Sequence, residues 1–270
     1  MAGKLIRSAL ASLLLIAASS PLLAQEPAKE LAPPGEGMIE QPCPAQAGLW
    51  FAHPYIRAHD WAWMCRFRDD DAKVTPQTAP QVVFIGDSIT EGWGRIDPAF
   101  FDQTHANRGI SGQTTPQMLL RFMQDVVALH PRAVHIMAGT NDIAGNTGPN
   151  RPEDYRNTIR AMTTLAKANG IAVIIASIPP ADHFGWMPQM TPAPRIAELN
   201  AWLKQFAASN GFVYADYYAA LADANGGLPV AYSKDGVHPE AAGYAVMRPI
   251  AERAIAAALQ PPVSSTSTRR

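Results

Sequence analysis

Short apolar runs alternate with amphipathic stretches from about residue 81 onward. Residues 82–85 form an apolar run that ends at a glycine, and residues 171–178 are rich in β-branched side chains. Both patterns are typical of strands that are buried on both faces of a parallel sheet. Weaker patterns predict three more strands, at residues 105–109, 133–138 and 212–215.

Apolar residues recur at helical spacing between these strands. The first predicted helix has Thr115 as its N-cap and Pro116 at its first position, where helices favour these residue types. Its predicted apolar face consists of Leu119, Phe122, Met123 and Val126. Further helices are predicted from near Pro152, across residues 196–206, and from Pro239 to about Leu259.

The alternation of strands and helices predicts an α/β fold. Its expected architecture is a mostly parallel sheet that is covered by helices on both faces, with right-handed crossovers. Neither a G-x-x-x-x-G-K-[ST] loop nor a G-x-G-x-x-G turn follows the first strand. A nucleotide-binding version of the fold is therefore disfavoured.

The first 24 residues have the layout of a secretory signal peptide. Lys4 and Arg7 form a basic start, an apolar stretch follows, and residues 22–24 are a predicted cleavage site before Gln25. The apolar stretch is short for a membrane span, which favours cleavage over a retained anchor. We therefore predict a periplasmic or secreted protein without a stable membrane anchor after cleavage.

Three segments are predicted after the signal peptide. Residues 25–79 are a lead-in and packing helix, residues 80–259 form the α/β domain, and the polar residues 260–270 form a disordered tail. The lead-in becomes dense in aromatic residues after Cys43. Packing of these rings against the domain is favoured over stacking on carbohydrate, because Trp and Phe chiefly bury area.

The charge of the chain argues against a nucleic-acid partner. The net charge is −1, and the only basic cluster is Arg269-Arg270, so no such partner is expected.

Cys43 and Cys65 are the two cysteines. They either form one disulfide in an oxidising compartment or remain two buried thiols. Two cysteines without clustered histidines do not form a zinc site, so no metal is expected.

Chemistry-bearing residues follow the predicted strands at their carboxyl ends. Ser88 follows the first strand, Gly112 the second, Asn141 the third, and Asp235 with His238 the fifth. Ligands of open α/β sheets bind at this edge. If the strand order is 2-1-3-4-5, the segments of Gly112 and Asn141 flank Ser88 directly.

This set of residue types is what acyl transfer requires. Ser88 is the predicted nucleophile, His238 its base, and Asp235 the carboxylate that orients the base. The backbone N–H groups of Ser88 and Gly112 and the side-chain amide of Asn141 are the predicted oxyanion donors. Each segment alone has a structural explanation as a turn. Taken together, in this order and at these strand ends, they predict a hydrolase.

The sequence resembles the SGNH hydrolases, also called the GDSL esterase/lipase family. Its four blocks match residues 86–93 (GDSITEGW), 107–112 (NRGISG), 139–142 (GTND) and 235–239 (DGVHP), with Ile89 in place of the family's leucine. The resemblance implies a flavodoxin-like three-layer α/β/α sandwich with a five-stranded parallel sheet in the order 2-1-3-4-5. It also implies ester hydrolysis through an acyl-serine, without metal or cofactor. The first block resembles the branch of platelet-activating factor acetylhydrolase subunits and bacterial carbohydrate acetylesterases.

The loop at residues 179–194 is predicted to determine specificity, with Trp186 and Met187 as substrate-binding residues. Trp186 can stack on a sugar, wall off an acyl pocket or anchor the loop. His183 is a rival base, but the adjacent Asp182 is too close in sequence to favour an orienting pair.

The leading hypothesis is a serine esterase that removes acetyl or short acyl groups, with a small-molecule or carbohydrate ester as its partner. One alternative is a lysophospholipase or thioesterase that has a deep apolar groove lined by Phe184, Met187 and Met190. Another is a non-catalytic binding module on the same fold. The sequence indicates no oligomeric state.

Overall fold

The computed structural model describes Cys43 and residues 50–260. The predicted signal peptide at residues 1–24, the lead-in up to residue 42 and the tail from residue 261 lie outside the described residues. No helix in the part of the chain that the structure describes is long and apolar enough to span a membrane.

Five parallel strands form the central sheet in the order β2-β1-β3-β4-β5. The strands are β1 (Val82–Gly86), β2 (His105–Gly109), β3 (Ala133–Met137), β4 (Ala172–Ala176) and β5 (Val213–Ala215). The predicted fold class, strand order and parallel pairing are confirmed. Gly86 of β1 is in register with Gly109 of β2 and Met137 of β3, so these strands end at the same edge.

The helices connect the strands and cover both faces of the sheet. They are α1 (Pro54–His59), α2 (Arg68–Asp71), α3 (Ser88–Ile96), α4 (Thr115–Asp125), α5 (Thr140–Ala144), α6 (Pro152–Ala168), α7 (Ala193–Asn210), α8 (Tyr217–Leu221) and α9 (Ala241–Ala258). Helices α4, α6 and α7 pack on one face through Phe122, Met162 and Leu203. Helices α3 and α9 pack on the other through Trp93 and Met247. The layers form the predicted α/β/α sandwich.

Helix α4 differs from its predicted form at its start and on its buried face. Thr114, not Thr115, is the N-cap, and its backbone N–H donates to the side chain of Gln117. Met123 is 49% exposed, whereas Arg121 and Asp125 are buried as an ion pair at 3.0 Å. Arg121 also donates to the carbonyl of Gly86. A charged pair therefore occupies the inner face, so apolar spacing alone misplaced Met123.

The segment before β1 contains the short helices α1 and α2 rather than one packing helix. A disulfide joins Cys43 to Cys65, which decides between the two cysteine predictions. Three glutamines of the α4 region, Gln113, Gln117 and Gln124, donate to the backbone carbonyls of Ala62, Trp61 and Met64. These bonds attach the segment to the α4 region, and the buried rings of Trp63 and Phe67 pack with Ile110, which follows β2. Helix α9 begins at Ala241, two residues after the predicted Pro239.

Candidate active site

The turn from β1 into α3 carries Ser88. Asp87 is the N-cap of α3, and its Oδ1 accepts the backbone N–H of Ile89 at 2.9 Å. Gly86 permits the tight turn: a Cβ there would lie 2.0 Å from the Oγ1 of Thr90 and 2.8 Å from the carbonyl of Met137. Ser88 thus begins the helix at the carboxyl edge of the sheet, where ligands bind in open α/β folds.

The loop before α9 carries the predicted base. Nε2 of His238 lies 2.8 Å from Oγ of Ser88, and Nδ1 lies 2.7 Å from Oδ2 of Asp235. The other oxygen of Asp235 accepts the backbone N–H groups of Val237 and His238 and the hydroxyl of Ser233. The structure therefore brings the three predicted triad residues into one hydrogen-bonded series.

The electrostatics of Asp235 favour its charged form. Partial burial raises the pKa of this carboxyl, but the hydrogen bonds from the backbone and ring of His238 and from Val237 outweigh it and hold the pKa well below its usual range. An ionised carboxylate at Nδ1 keeps a proton on that nitrogen. The lone pair of Nε2 then faces Ser88, which is the arrangement that a general base needs.

The three predicted oxyanion donors lie together. Ser88, Gly112 and Asn141 line one cavity of about 650 Å³ with Phe51, Trp186 and His238. Gly112 has φ +79°, a conformation that favours glycine. The Asn141 side chain is buried and donates through Nδ2 to the carbonyl of Gln113 at 3.1 Å and to Oδ2 of Asp87 at 3.3 Å. The second contact is long for a hydrogen bond to a carboxylate.

Glu91, to which the sequence assigned no role, contacts the loop that carries Gly112. Its Oε2 accepts the backbone N–H of Ser111 at 2.9 Å and also the Ser111 hydroxyl. These bonds hold the loop that carries Gly112 against the first turns of α3. The residue lies inside the first motif block, three positions after Ser88. Its position in this block is the sequence feature that could have pointed to it.

Buried aspartates surround the oxyanion side. Burial raises the pKa of Asp87 to about 6 and the pKa of Asp142 to about 6. Asp142 accepts the backbone N–H and the hydroxyl of Thr115 and the amide of Asn150. It thereby ties the start of α4 to the segment that carries Asn141.

Trp186 is the residue of the 179–194 loop that reaches the cavity. Its ring is 44% exposed, stacks on Phe184 at 4.9 Å and lies 6.5 Å from the His238 ring. Met187, the other predicted substrate-binding residue, is not among the cavity-lining residues. It is half-buried and packs against the core, since a flexible thioether fills gaps there. A role for Met187 in substrate binding stays a prediction.

Phe51 is a second cavity residue that the sequence reasoning missed. It is 45% exposed and lines the same cavity as Trp186. It lies in the aromatic-rich segment for which packing against the domain was favoured over stacking on carbohydrate. Because its distance from the catalytic motifs along the chain is large, nothing in the sequence pattern distinguished it from the packing rings.

His183 does form the pair with Asp182 that the sequence disfavoured. Nδ1 of His183 lies 2.6 Å from Oδ1 of Asp182. The ring lies against Gly236, where a Cβ would be 2.6 Å from its Cε1. Ser88 nevertheless bonds to His238 and not to this second His–Asp pair. No group of three or more His, Cys, Asp or Glu side chains within the described residues could hold a metal ion.

Comparisons with known proteins agree with this architecture. Residues 84–246 match the model of the GDSL-like lipase/acylhydrolase family. A crystal structure from Bacteroides fragilis, of a protein assigned as an acylhydrolase, is 44% identical with a TM-score of 0.71, and the match covers 74% of this chain and 99% of that one. A GDSL-like lipase from Bacteroides thetaiotaomicron is 41% identical with a TM-score of 0.70, covering 74% and 100%.

A more distant structure shares the fold. Axe2, an acetylxylan esterase from Geobacillus stearothermophilus, is 23% identical with a TM-score of 0.52, covering 64% of this chain and 93% of that one. The search among curated proteins found no match. The extent of the family match and the identity to the Bacteroides structures lead to one conclusion: this chain belongs to the GDSL-like lipase/acylhydrolase family and is a carboxylic ester hydrolase.

Proposed function

We propose that this esterase removes acetyl or other short acyl groups from carbohydrate esters through an acyl-serine intermediate. One observation carries the proposal: Ser88, His238 and Asp235 form a hydrogen-bonded series of 2.8 Å and 2.7 Å on the wall of an open cavity. Such a series is what activates a serine hydroxyl at neutral pH.

The reaction has two halves with the same proton carrier. Oγ of Ser88 attacks the ester carbonyl as Nε2 of His238 takes its proton, and Asp235 stabilises the resulting imidazolium. His238 then protonates the leaving alcohol as the ester C–O bond breaks, which leaves the acyl-serine. In the second half, His238 takes a proton from water and the hydroxide attacks the acyl carbonyl. The bond between the acyl carbon and Oγ of Ser88 then breaks as the proton returns to Oγ, which releases the carboxylic acid and restores the free serine.

Charge that develops on the carbonyl oxygen needs donors that are already in place. The proposed donors are the backbone N–H groups of Ser88 and Gly112 and the amide of Asn141, and these three residues line one cavity. The long contact between Asn141 and Asp87 is the weakest of the amide's bonds. That N–H is therefore the one available to turn to the oxyanion. Preorganised donors of this kind act most strongly in a site that excludes water.

The residues of the cavity wall support the proposed substrate class. Trp186 and Phe51 each present a half-exposed aromatic ring to the cavity, and aromatic faces suit the apolar faces of sugar rings. A groove for a long acyl chain was expected to be lined by Phe184, Met187 and Met190. Phe184 is fully buried, Met187 packs against the core and Met190 lines a different cavity. None of the three lines the cavity that contains Ser88. A lysophospholipase or thioesterase has no comparable support.

We also propose that the protein is exported. The Cys43–Cys65 disulfide supports this, because such bonds persist in oxidising compartments.

The hydrogen-bonded series of Ser88, His238 and Asp235 argues against a non-catalytic binding module, since such a module has no need of a paired nucleophile and base.

The test is hydrolysis of p-nitrophenyl esters from acetate to palmitate, followed by release of acetate from acetylated oligosaccharides. Ser88→Ala is the control, and circular dichroism verifies that it is folded. We expect activity that falls steeply beyond short chains and disappears in the variant. Best activity at eight carbons or longer contradicts the short-acyl assignment, and wild-type activity in Ser88→Ala contradicts the nucleophile.

A further inference from the structure

A series of hydrogen bonds connects the cavity wall to the oxyanion side. The indole Nε1–H of Trp186 donates to Oδ1 of Asn146 at 3.1 Å, and Nδ2 of Asn146 donates to Oδ1 of Asn141 at 2.6 Å. The backbone N–H of Asn146 also donates to the backbone carbonyl of Asn141 at 3.1 Å. Asn146 thus bridges a substrate-facing ring and the amide that faces the nucleophile.

The donors and acceptors of these hydrogen bonds fix which way the side-chain amides of Asn146 and Asn141 point. An indole N–H can only donate, so the oxygen of Asn146 must face Trp186. The amide nitrogen of Asn146 then faces Asn141, and accordingly the oxygen of Asn141 faces Asn146. The nitrogen of Asn141 is left pointing toward the carbonyl of Gln113, the carboxylate of Asp87 and the cavity.

The orientation matters most during reaction. To donate to the oxyanion, Asn141 must relax its long contact with Asp87, and it then retains Gln113 on the nitrogen side. A flipped amide would present its oxygen to the negative charge that forms on the substrate carbonyl, and would repel it. The short bond from Asn146 to Oδ1 opposes this flip at the moment when the opposite contact loosens.

We propose that Asn146 is a positioning residue that keeps the amide of Asn141 directed at the oxyanion, and that Trp186 couples contact with the acyl acceptor to that orientation. Trp186 has two separable roles: its exposed face binds substrate, and its N–H holds Asn146. This inference rests on the proposed function, because it assumes that Asn141 stabilises the oxyanion.

The first variants separate the two roles of Trp186. Trp186→Phe keeps an aromatic face but removes the N–H, so kcat for an acetylated oligosaccharide should fall about 5- to 10-fold with KM within about twofold of wild type. Trp186→Ala removes the face as well, and KM should also rise. Trp202→Phe is the matched control, because Trp202 packs on α6 and α7 away from the cavity, and it should keep both constants.

Variants of Asn146 test the bridge itself. Asn146→Ala should lower kcat about 10-fold at near-constant KM. Asn146→Asp, of the same size, should lower it further, since a carboxylate oxygen facing Oδ1 favours the flipped amide. Asn210→Ala removes an exposed asparagine whose side chain bonds only within α7, and it should behave as wild type.

A double variant tests whether Trp186 and Asn146 act in series, and Ser88→Ala and Asn141→Ala are the reference variants. If the residues act in series, Trp186→Phe should cause no further loss of kcat in the Asn146→Ala background. Wild-type kcat in both Trp186→Phe and folded Asn146→Ala overturns the inference, provided that Ser88→Ala is inactive and Asn141→Ala is impaired. Full activity in Ser88→Ala would instead overturn the proposed function. Should Asn146→Ala fail to fold, Trp186→Phe alone decides, because it removes one exposed donor.

Discussion

The two sides of Ser88 are built in opposite ways. On the oxyanion side, Asp87 is 2% exposed and Asn141 is 3% exposed, and both bond to groups that are distant in sequence. On the base side, the Asp235 side chain is 54% exposed and the His238 side chain 39%, and Asp235 is held by its own loop. One half is preorganised by burial in the fold, whereas the other is preorganised by a short local motif.

The difference extends to acid–base behaviour. Burial raises the pKa of Asp87 to about 6, whereas the bonds around Asp235 hold its pKa below the usual range despite partial burial. Asp235, the proposed triad carboxylate, is therefore near water and its hydrogen-bond donors. The buried one acts as a helix cap and a neighbour of Asn141. Substitutions on the base side should therefore chiefly lower the reaction rate. Substitutions on the oxyanion side should lower both the reaction rate and the stability of the fold.

Removal of the base should have the largest effect. His238→Ala is expected to lower kcat by about 10⁴-fold or more at little cost in stability, because the side chain is half-exposed and the proton acceptor is lost. The measurement is p-nitrophenyl acetate hydrolysis with thermal unfolding alongside. His183→Ala is the matched control, since His183 has its own aspartate partner. A comparable loss in His183→Ala would mean that the wrong histidine has been assigned as base.

Removal of the buried donor should have a smaller effect on rate and a larger one on stability. Asn141→Ala is expected to lower kcat about 10²–10³-fold, as loss of an oxyanion donor does. It also leaves the buried carbonyl of Gln113 without the partner that Asn141 supplies, at a cost of about 1–3 kcal/mol. Denaturant unfolding and steady-state kinetics check both. A variant as stable as wild type would weaken the contrast between the two sides.

The same contrast explains what could be predicted from the sequence. Asp235 and His238 are three residues apart and form a local motif, and the strand ends placed Ser88, Gly112 and Asn141 through topology alone. Residue types, spacing and the rules of parallel sheets were sufficient to predict where these five residues lie. The family resemblance added the sandwich and the strand order.

The features that the sequence did not predict depend on packing between distant segments. Met187 packs against the core, and Phe51, which precedes Cys65 in the segment closed by the disulfide, lines the cavity. The buried Arg121–Asp125 pair looks like a solvated helix face in sequence. Asn146 belongs to no block of the motif. Each of these depends on contacts that periodicity does not encode.

The pH dependence of the free energy of unfolding should show the smallest difference between the two sides. A carboxyl whose folded pKa is raised contributes stability that is fully present below the unfolded value and is lost as pH rises through the folded value. For Asp87 that window runs from the ordinary 3.8 to about 6. Asp235 has a lowered pKa, so its stability contribution is lost only at more acidic pH. Between pH 4.5 and 7.5 the buried side therefore dominates.

Asp87→Asn removes this titration. Relative to wild type, the variant should gain stability on going from pH 4.5 to 7.5, on the order of 2 kcal/mol, since each pKa unit corresponds to about 1.4 kcal/mol. Urea unfolding at the two pH values measures the change. Asp102→Asn is the control, because Asp102 is exposed and its pKa is lowered, so its titration lies below the window. An unchanged difference between wild type and Asp87→Asn would show that Asp87 is already solvated, and the contrast between a buried and an exposed carboxyl beside Ser88 would no longer hold.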